Sequence, residues 1–287
     1  MAQVRGQSIA VGERTYPVAR EARRLRVWRG VPLGLATLLL VYLTVPVVAI
    51  IWRGASWATL QALGDPLVVA ALHLTALTTG LVVLVALLAG TPLAYLLARR
   101  TFPGKAVIET LVELPIALPP VIAGVGLLVA FGRRGLFGPV LEAFGIVLPF
   151  TTAAVVLAQL FVAVPFYVRA AALGFRAVPR ELEEAAQVDG ASGWVAFRKV
   201  TVPLAMPGLF SGVLLCATRA ASEFGATLMF AGNFPGRTQT LTLAVMTAME
   251  TNVSRALALA CLLLLAALIV VLGARLLVGE SETRLSG

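Results

Sequence analysis

The chain alternates long uncharged stretches with short clusters of charged residues. Six stretches of about twenty residues or more contain no Asp, Glu, Lys or Arg. A hydrocarbon core about 30 Å thick requires about 20 apolar residues of helix, so each stretch predicts a membrane span. The six predicted spans are Val31 to Trp52, Pro66 to Ala98, Leu114 to Gly132, Ala143 to Val168, Val200 to Thr218 and Ala256 to Ala274. The pattern therefore predicts an all-α membrane protein with six transmembrane helices.

Composition supports a membrane protein and argues against nucleic-acid binding. Of the 287 residues, 59% are hydrophobic and 13% are charged, whereas soluble proteins carry about 25% charged residues. A net charge of +9 would suggest a nucleic-acid partner in a soluble chain. Here the basic residues lie between the uncharged stretches, the arrangement by which charged loops orient a membrane protein. We therefore expect contact with lipid and none with nucleic acid.

The distribution of basic residues predicts the orientation. Residues 1–30 form a basic tail with seven arginines; the apolar run that follows is longer than a signal peptide requires and has no cleavage pattern. With the N-terminus in the cytoplasm, six of the 23 Lys and Arg residues lie outside: Arg53, Arg133, Arg134, Arg219, Arg237 and Arg255. This imbalance favours cytoplasmic termini. The predicted domains are a cytoplasmic tail (1–30), a membrane domain (31–277) and a second cytoplasmic tail (278–287).

Metal and disulfide chemistry find little support in the sequence. His73 is the only histidine, and no Cys/His/Asp/Glu cluster has metal-ligand spacing. Cys216 and Cys261 both lie in apolar runs, where cysteine usually acts as a small hydrophobic residue. An intramembrane hydrolase is also disfavoured, because neither Ser211 nor Ser222 has a visible base beyond Glu223. We expect no catalytic site and no metal in this chain.

One charged segment between two predicted spans carries strong helix signals. It runs from Val178 to Pro207 and reads VPRELEEAAQVDGASGWVAFRKVTVPLAMP. The segment predicts a helix between Pro179 and Gly190. Pro179 suits a first turn, three acids follow where the helix dipole favours them, and Gly190 suits the end of a helix. One face of this helix carries Leu182, Ala185, Ala186 and Asp189. Small side chains allow close approach of another surface, so the helix either docks on a partner or is a solvated loop helix.

The spacing of this segment resembles the EAA loop of ABC importer membrane subunits, whose pattern is EAA, x3, G, x9, I, x, LP. The matching residues are Glu184-Ala185-Ala186, Gly190, Val200 and Val202-Pro203, with Val in place of the Ile and the Leu. The resemblance to a type I ABC importer permease extends from about Leu72 to Leu277. It implies a cytoplasmic coupling helix within the loop 178–203, and a multi-pass protein of the prokaryotic inner membrane.

The family resemblance also implies which residues couple the chain to an ATPase. They are Glu184, Ala185, Ala186, Asp189, Gly190 and Pro203, docked in a cleft of a cytoplasmic ABC ATPase dimer. No phosphate-binding loop of the form GxxxxGK[ST] occurs in the sequence, so the ATPase must be a separate chain. ATP and Mg would be bound by that partner, and we expect no cofactor on this chain.

Two further segments suggest a pore or gate. Pro115, Pro119 and Pro120 interrupt the start of the third predicted span, and a broken helix in a membrane either lines a cavity or kinks to shape packing. Arg219 and Glu223 lie one turn apart near the outer edge of the fifth span, either as an intrahelical ion pair or as a gate. The following loop, Gly232 to Thr240, is rich in turn and polar residues and predicts a polar outer mouth.

Both segments resemble the molybdate permease family. The matches are Leu118-Pro119-Pro120 followed by Val121 and Gly124, and EFGATLMFAGNFPGRTQT from Glu223 to Thr240. The resemblance implies molybdate import, with tungstate nearly indistinguishable as a tetrahedral dianion. Sulfate and thiosulfate permeases share the architecture and are the alternative within this class.

The implied assembly contains two permease copies, the ATPase dimer and an external oxyanion-binding protein, which is periplasmic or anchored by lipid. Because the sequence contains no internal repeat, a homodimer is the simpler solution. The alternative of a different class is an ion-coupled carrier or channel, which would leave the Glu184 to Pro203 pattern unexplained.

Overall fold

The computed structural model describes residues 18–55 and 57–285, and within them the chain forms helices and turns without a strand. The helices are α1 (Val18–Gly54), α2 (Trp57–Ala62), α3 (Pro66–Val85), α4 (Thr91–Arg99), α5 (Lys105–Ala117), α6 (Pro120–Phe131), α7 (Gly138–Ala143), α8 (Thr152–Ala177), α9 (Arg180–Val188), α10 (Gly193–Ala196), α11 (Val202–Ala221), α12 (Gly225–Ala231), α13 (Leu241–Thr251) and α14 (Val253–Leu285). Turns of π-helix, Ala86–Gly90 and Phe197–Thr201, join α3 to α4 and α10 to α11.

The chain divides into two compact units, Met1–Ile51 and Trp52–Gly287. The first unit holds most of α1, a 37-residue helix with two internal prolines. Within α1, Pro32–Gly54 is long and apolar enough to cross a membrane, as the first predicted span requires. Because α1 begins at Val18 and residues 1–17 lie outside the described part, the division into tails and a membrane domain stays a prediction.

Four helical segments have the length and apolarity of a membrane span: Pro32–Gly54, Pro66–Arg99, Thr152–Ala177 and Gly193–Ala221. The second matches the predicted span from Pro66 closely, with the π-turn inside it. The last joins α10, a π-turn and α11 in one continuous run. The sixth predicted span falls in α14, where the described apolar stretch, Val253–Ile269, is shorter than a full crossing.

The third predicted span is sharply broken. α5 and α6 meet at an angle of 117°, so the pair is either one broken span or a re-entrant loop. Pro119 precedes the first residue of α6 and has extended backbone angles, φ −56° and ψ 132°. Proline fixes φ, lacks an N–H and disfavours helical geometry in the residue before it, so the Pro119-Pro120 pair accounts for the break.

The fourth predicted span is displaced along the chain. The uncharged stretch begins at Ala143, but α8 begins after Thr151, whose hydroxyl accepts a hydrogen bond from the Ala154 N–H at 3.2 Å. At its other end, α8 continues past Arg169 to Ala177, because a single charge does not terminate a helix. Arg169, directly after the end of the predicted span at Val168, therefore lies inside a helix of membrane length, and its cytoplasmic placement stays a prediction.

The core of the second unit is the antiparallel contact of α8 with α11. A Cβ added at Gly208 would lie 2.4 Å from the Gly174 Cα, so the two backbones touch there. One turn further along α11, Gly212 packs on the ring of Tyr167, whose hydroxyl lies 2.5 Å from the Thr91 Oγ1 of α4. Small residues permit this close approach of two helices. Close packing drives helix association in a membrane, because the lipid is as apolar as the side chains. α4, α8 and α11 thus form one packed layer.

We expect Gly208→Ala to lower the thermal midpoint of the purified protein, because the added methyl meets backbone atoms. Overpacking of this kind costs about 1–3 kcal/mol. Gly80→Ala is the matched control, since a Cβ at that helical glycine meets no atom within 4 Å. Equal midpoints for the two variants in detergent would contradict the packing described for α8 and α11.

Candidate functional site

The loop between α8 and α11 forms a short helix with well-defined ends. α9 begins after Pro179 and carries two acids in its first turn. At its other end, Gly190 has φ +91°, and the Ala191 N–H donates to the Ala186 carbonyl at 2.9 Å. Only glycine adopts a positive φ at low cost. The helix therefore begins and ends where its proline and glycine predict.

Most of the residues predicted for coupling are exposed. Glu184, Ala185, Asp189 and Gly190 of the loop lie at the surface, and Ala186 is half-buried. Leu182 is 45% exposed and Val188 is 87% exposed, so apolar groups stand beside the acids. Pro203 is exposed and lies in the first turn of α11. The loop thus offers a surface of small, apolar and acidic side chains.

Glu183 holds this helix to the rest of the unit, a role that sequence reasoning missed. Its Oε1 accepts from the Arg99 guanidinium of α4 at 2.7 Å and from the Thr201 hydroxyl at 2.7 Å. The side chains of Arg99 and Glu183 are only 8% and 16% exposed. Arg180 adds a hydrogen bond to the Arg99 carbonyl at 3.1 Å. One carboxylate therefore ties α9 to the end of α4 and to the π-turn before α11.

Aromatic rings reinforce the same junction. Tyr95 of α4 packs edge-on against Phe197 of the π-turn and Phe175 of α8, with ring centroids 4.9 Å and 5.4 Å apart. Trp194 stacks on Phe197 at 5.5 Å while remaining 69% exposed. Edge-to-face pairs are favourable beyond the area they bury. These rings therefore connect α4, α8 and α10 with the π-turn that precedes α11.

The two segments predicted as pore or gate lie against each other. α11 ends at Ala221, and α12 restarts at Gly225 after a short break. A Cβ at Gly225 would lie 3.0 Å from the Val121 nitrogen and 3.1 Å from the Pro120 Cβ. Gly124 of α6 approaches the Ala226 backbone as closely. The break at Pro119 and the break after α11 are thus packed together. The sequence resemblance, which concerns each segment separately, does not reveal this contact.

Glu223 is buried in the second break, with 1% of its side chain exposed. Its Oε1 accepts from the Ala226 N–H at 2.8 Å, and its Oε2 lies 2.8 Å from the Arg219 Nη2. The second contact has an ion-pair distance without the direction of a hydrogen bond. Glu223 stands after the end of α11, in the break before α12. One carboxylate oxygen therefore pairs with Arg219, and the other accepts the hydrogen bond that fixes the start of α12.

The loop from Gly232 to Thr240 is more buried than a polar outer mouth would be. Thr238, Gln239 and Thr240 are all buried. The loop is tied down by hydrogen bonds from Thr152 of α8 to the Arg237 carbonyl and from Gln239 to Asn233. Most of its polar side chains thus serve internal contacts, while Phe234 to Arg237 are exposed, and the polar outer mouth stays a prediction.

Comparison with known proteins places the chain in a transport family. Residues 90–278 match the family described as the binding-protein-dependent transport system inner membrane component. The chain belongs to this family. Members are membrane subunits of importers, which accords with the several apolar helices and with the absence of a phosphate-binding loop in the sequence.

Similar proteins cover nearly the whole chain. The molybdenum transport system permease protein ModB of Mycobacterium tuberculosis is 41% identical over 235 residues, 82% of this chain and 89% of that protein. The molybdate/tungstate transport system permease protein WtpB of Thermococcus kodakarensis is 37% identical over 251 residues, 87% and 95% of the two chains. A bacterial ABC transporter that imports the acidic polysaccharide alginate shares the fold, with a TM-score of 0.71 at 16% identity over 93% of this chain and 99% of that one.

We expect Glu183→Ala to destabilise the protein by about 3 kcal/mol, because it leaves the buried Arg99 guanidinium without its partner. Glu184→Ala is the control. It removes the carboxylate of the neighbouring residue, which is exposed, and should therefore change stability little. Thermal midpoints and limited proteolysis between α8 and α11 measure the difference. Indistinguishable midpoints for the two variants would refute the anchoring role of Glu183.

Proposed function

We propose that this chain is the membrane-spanning permease of an ATP-driven ABC importer for molybdate, with tungstate as a second substrate. The observation that carries the proposal is that the chain covers 89–95% of two permeases whose names specify molybdenum, or molybdate and tungstate. The segment from Glu223 to Thr240 supports it through its resemblance to the molybdate permease family. Sulfate or thiosulfate import is the competing assignment.

Radiolabelled molybdate uptake by cells or proteoliposomes with the complete importer tests the substrate. We expect uptake to require the external binding protein and ATP, to be abolished by vanadate, and to be competed by unlabelled tungstate. Sulfate in equal excess should compete weakly. Strong competition by sulfate with none by tungstate would overturn the molybdate assignment, and uptake driven by a proton or sodium gradient without ATP would overturn the ABC mechanism.

The assembly that we infer has two copies of this chain above two copies of a separate ABC ATPase, which binds ATP and Mg. Both termini and α9 lie on the cytoplasmic side, as the distribution of basic residues favours. A binding protein delivers the oxyanion from outside. This chain supplies no catalytic group; it provides the path and converts the closing of the ATPase dimer into a change of access.

The exposed surface of α9 is suited to couple that movement. Glu184 is available to pair with a basic group of the ATPase, while Ala185 and Ala186 permit close packing. Gly190 gives the sharp turn that returns the chain towards α10, and Asp189 adds a second charge at the end of the helix. Pro203 lies where the segment enters α11. The Glu183 anchor and the aromatic rings make the loop stiff enough to move the spans instead of bending.

We expect Glu184→Lys, or Gly190→Leu at its positive φ, to uncouple transport from ATP hydrolysis. Uptake should fall about tenfold, the size of one interface hot spot, while insertion in the membrane is unchanged. Glu142→Lys on the exposed surface of α7 is the charge-matched control. Uptake and ATPase activity are measured together in proteoliposomes, and normal uptake by the α9 variants would exclude this loop as the coupling element.

A gate at the two packed breaks is the second part of the proposal. Pro119 and Pro120 fix the start of α6, while Arg219 and Glu223 fix the start of α12. A relative shift of α6 and α12 would open or close a path beside them. Broken helices suit such a role, because their ends move without breaking a continuous hydrogen-bond ladder.

We expect Glu223→Gln to lower the initial rate of uptake while leaving assembly intact. The amide oxygen can still accept from the Ala226 N–H, so α12 keeps its start, but the charge opposite Arg219 is lost. Size-exclusion chromatography of the complex checks assembly, and uptake checks transport. If uptake is unaffected, Arg219 and Glu223 serve packing alone and the gate lies elsewhere.

A further inference from the structure

Arg169 lies within α8, a helix long and apolar enough to cross a membrane. The helix runs from Thr152 to Ala177, and a hydrocarbon core about 30 Å thick takes about 20 residues of helix. Every placement of such a window within α8 includes Arg169. Since a charged side chain at this depth is costly, it faces protein or a water-filled space.

The side chain of Arg169 is exposed in this chain and lines a groove between α5 and α8 of about 450 Å³. Three other charged residues line the same groove, namely Arg176, Glu109 and Glu113. The Arg176 guanidinium pairs with Glu109 at 2.7 Å. Within the described part of the chain, no carboxylate lies within 4.0 Å of Arg169. Its charge is therefore available to a ligand.

We propose that Arg169 and the groove between α5 and α8 form a transient binding site for the tetrahedral oxyanion inside the membrane. The proposal rests on the function proposed above and adds a residue that meets the substrate. A guanidinium presents several N–H donors to such an anion. Glu113 on the opposite wall repels the same anion, so the groove attracts it without holding it tightly.

The groove is continuous with the moving parts of the molecule. α5 provides one wall and leads directly into the break before α6. α8 provides the other wall and carries the glycine contact to α11. A change in the angle between α5 and α6 would therefore widen or narrow the space in front of Arg169. The site is placed to receive an anion that has passed the break at Pro119.

Transport by the complete importer in proteoliposomes gives the first test. We expect Arg169→Gln to reduce the rate of molybdate uptake about tenfold, since one charge–anion contact in a partly dry site has that order of effect. Arg169→Lys should retain most of the rate, because the charge is kept. Arg134→Gln, in an exposed turn outside the groove, is the matched control. Unaltered uptake in Arg169→Gln, or equal loss in Arg169→Lys, overturns the proposal.

A second test does not depend on molybdate transport. Thr110→Cys places a thiol in the groove, in a chain whose buried Cys216 and Cys261 are replaced by alanine. We expect Arg169→Gln to lower about fivefold the ratio of the labelling rate with an anionic thiosulfonate reagent to that with a cationic one, because a charge in a narrow cleft concentrates counter-ions. A ratio unaffected by Arg169→Gln overturns the site. If the wild-type importer fails to take up molybdate while Arg169→Gln still lowers the ratio, only the proposed substrate is wrong.

Discussion

The close contact between the backbones of α8 and α11 is the constraint on which the rest of the second unit depends. In a membrane the lipid is as apolar as the side chains, so helices associate through close fit instead of exclusion of water. Gly174 and Gly208 bring the two helices into contact, and Tyr167 then fills the space between Gly212 and α4. This contact therefore fixes the distance between the end of α8 and the start of α11, which the loop connects.

Polar groups in this structure are concentrated where helices start, stop or break. Glu183 connects three elements at the loop, and Glu223 holds the start of α12. Buried carboxylates need partners, and an interrupted helix has free N–H groups to offer them. The break before α12 and the buried Glu223 therefore depend on each other.

Local signals in the sequence predicted local structure well. Proline and glycine marked the ends of α9, and the uncharged length from Pro66 predicted the helix formed by α3 and α4. The ends of α8 were mispredicted, because a helix that packs against protein tolerates a charge such as Arg169. The role of Glu183 depends on Arg99, 84 positions away, and the Leu241 N–H, next to Thr240, donates to the Thr75 hydroxyl 166 positions away. No spacing rule reveals such contacts, since the fold alone brings their members together.

The anchoring of α9 has a consequence for how such permeases can be recombined. The residues that resemble the EAA pattern lie in one contiguous segment. By sequence alone, this segment could be exchanged between permeases in a single replacement. Two of the groups that hold this segment, Arg99 and Tyr95, belong to α4 and lie far outside it. A chimera that exchanges the loop alone would carry the exposed surface of the donor's loop without the donor's residues at positions 95 and 99 that hold it in place. The structure of this segment is therefore a property of two separate regions of the chain.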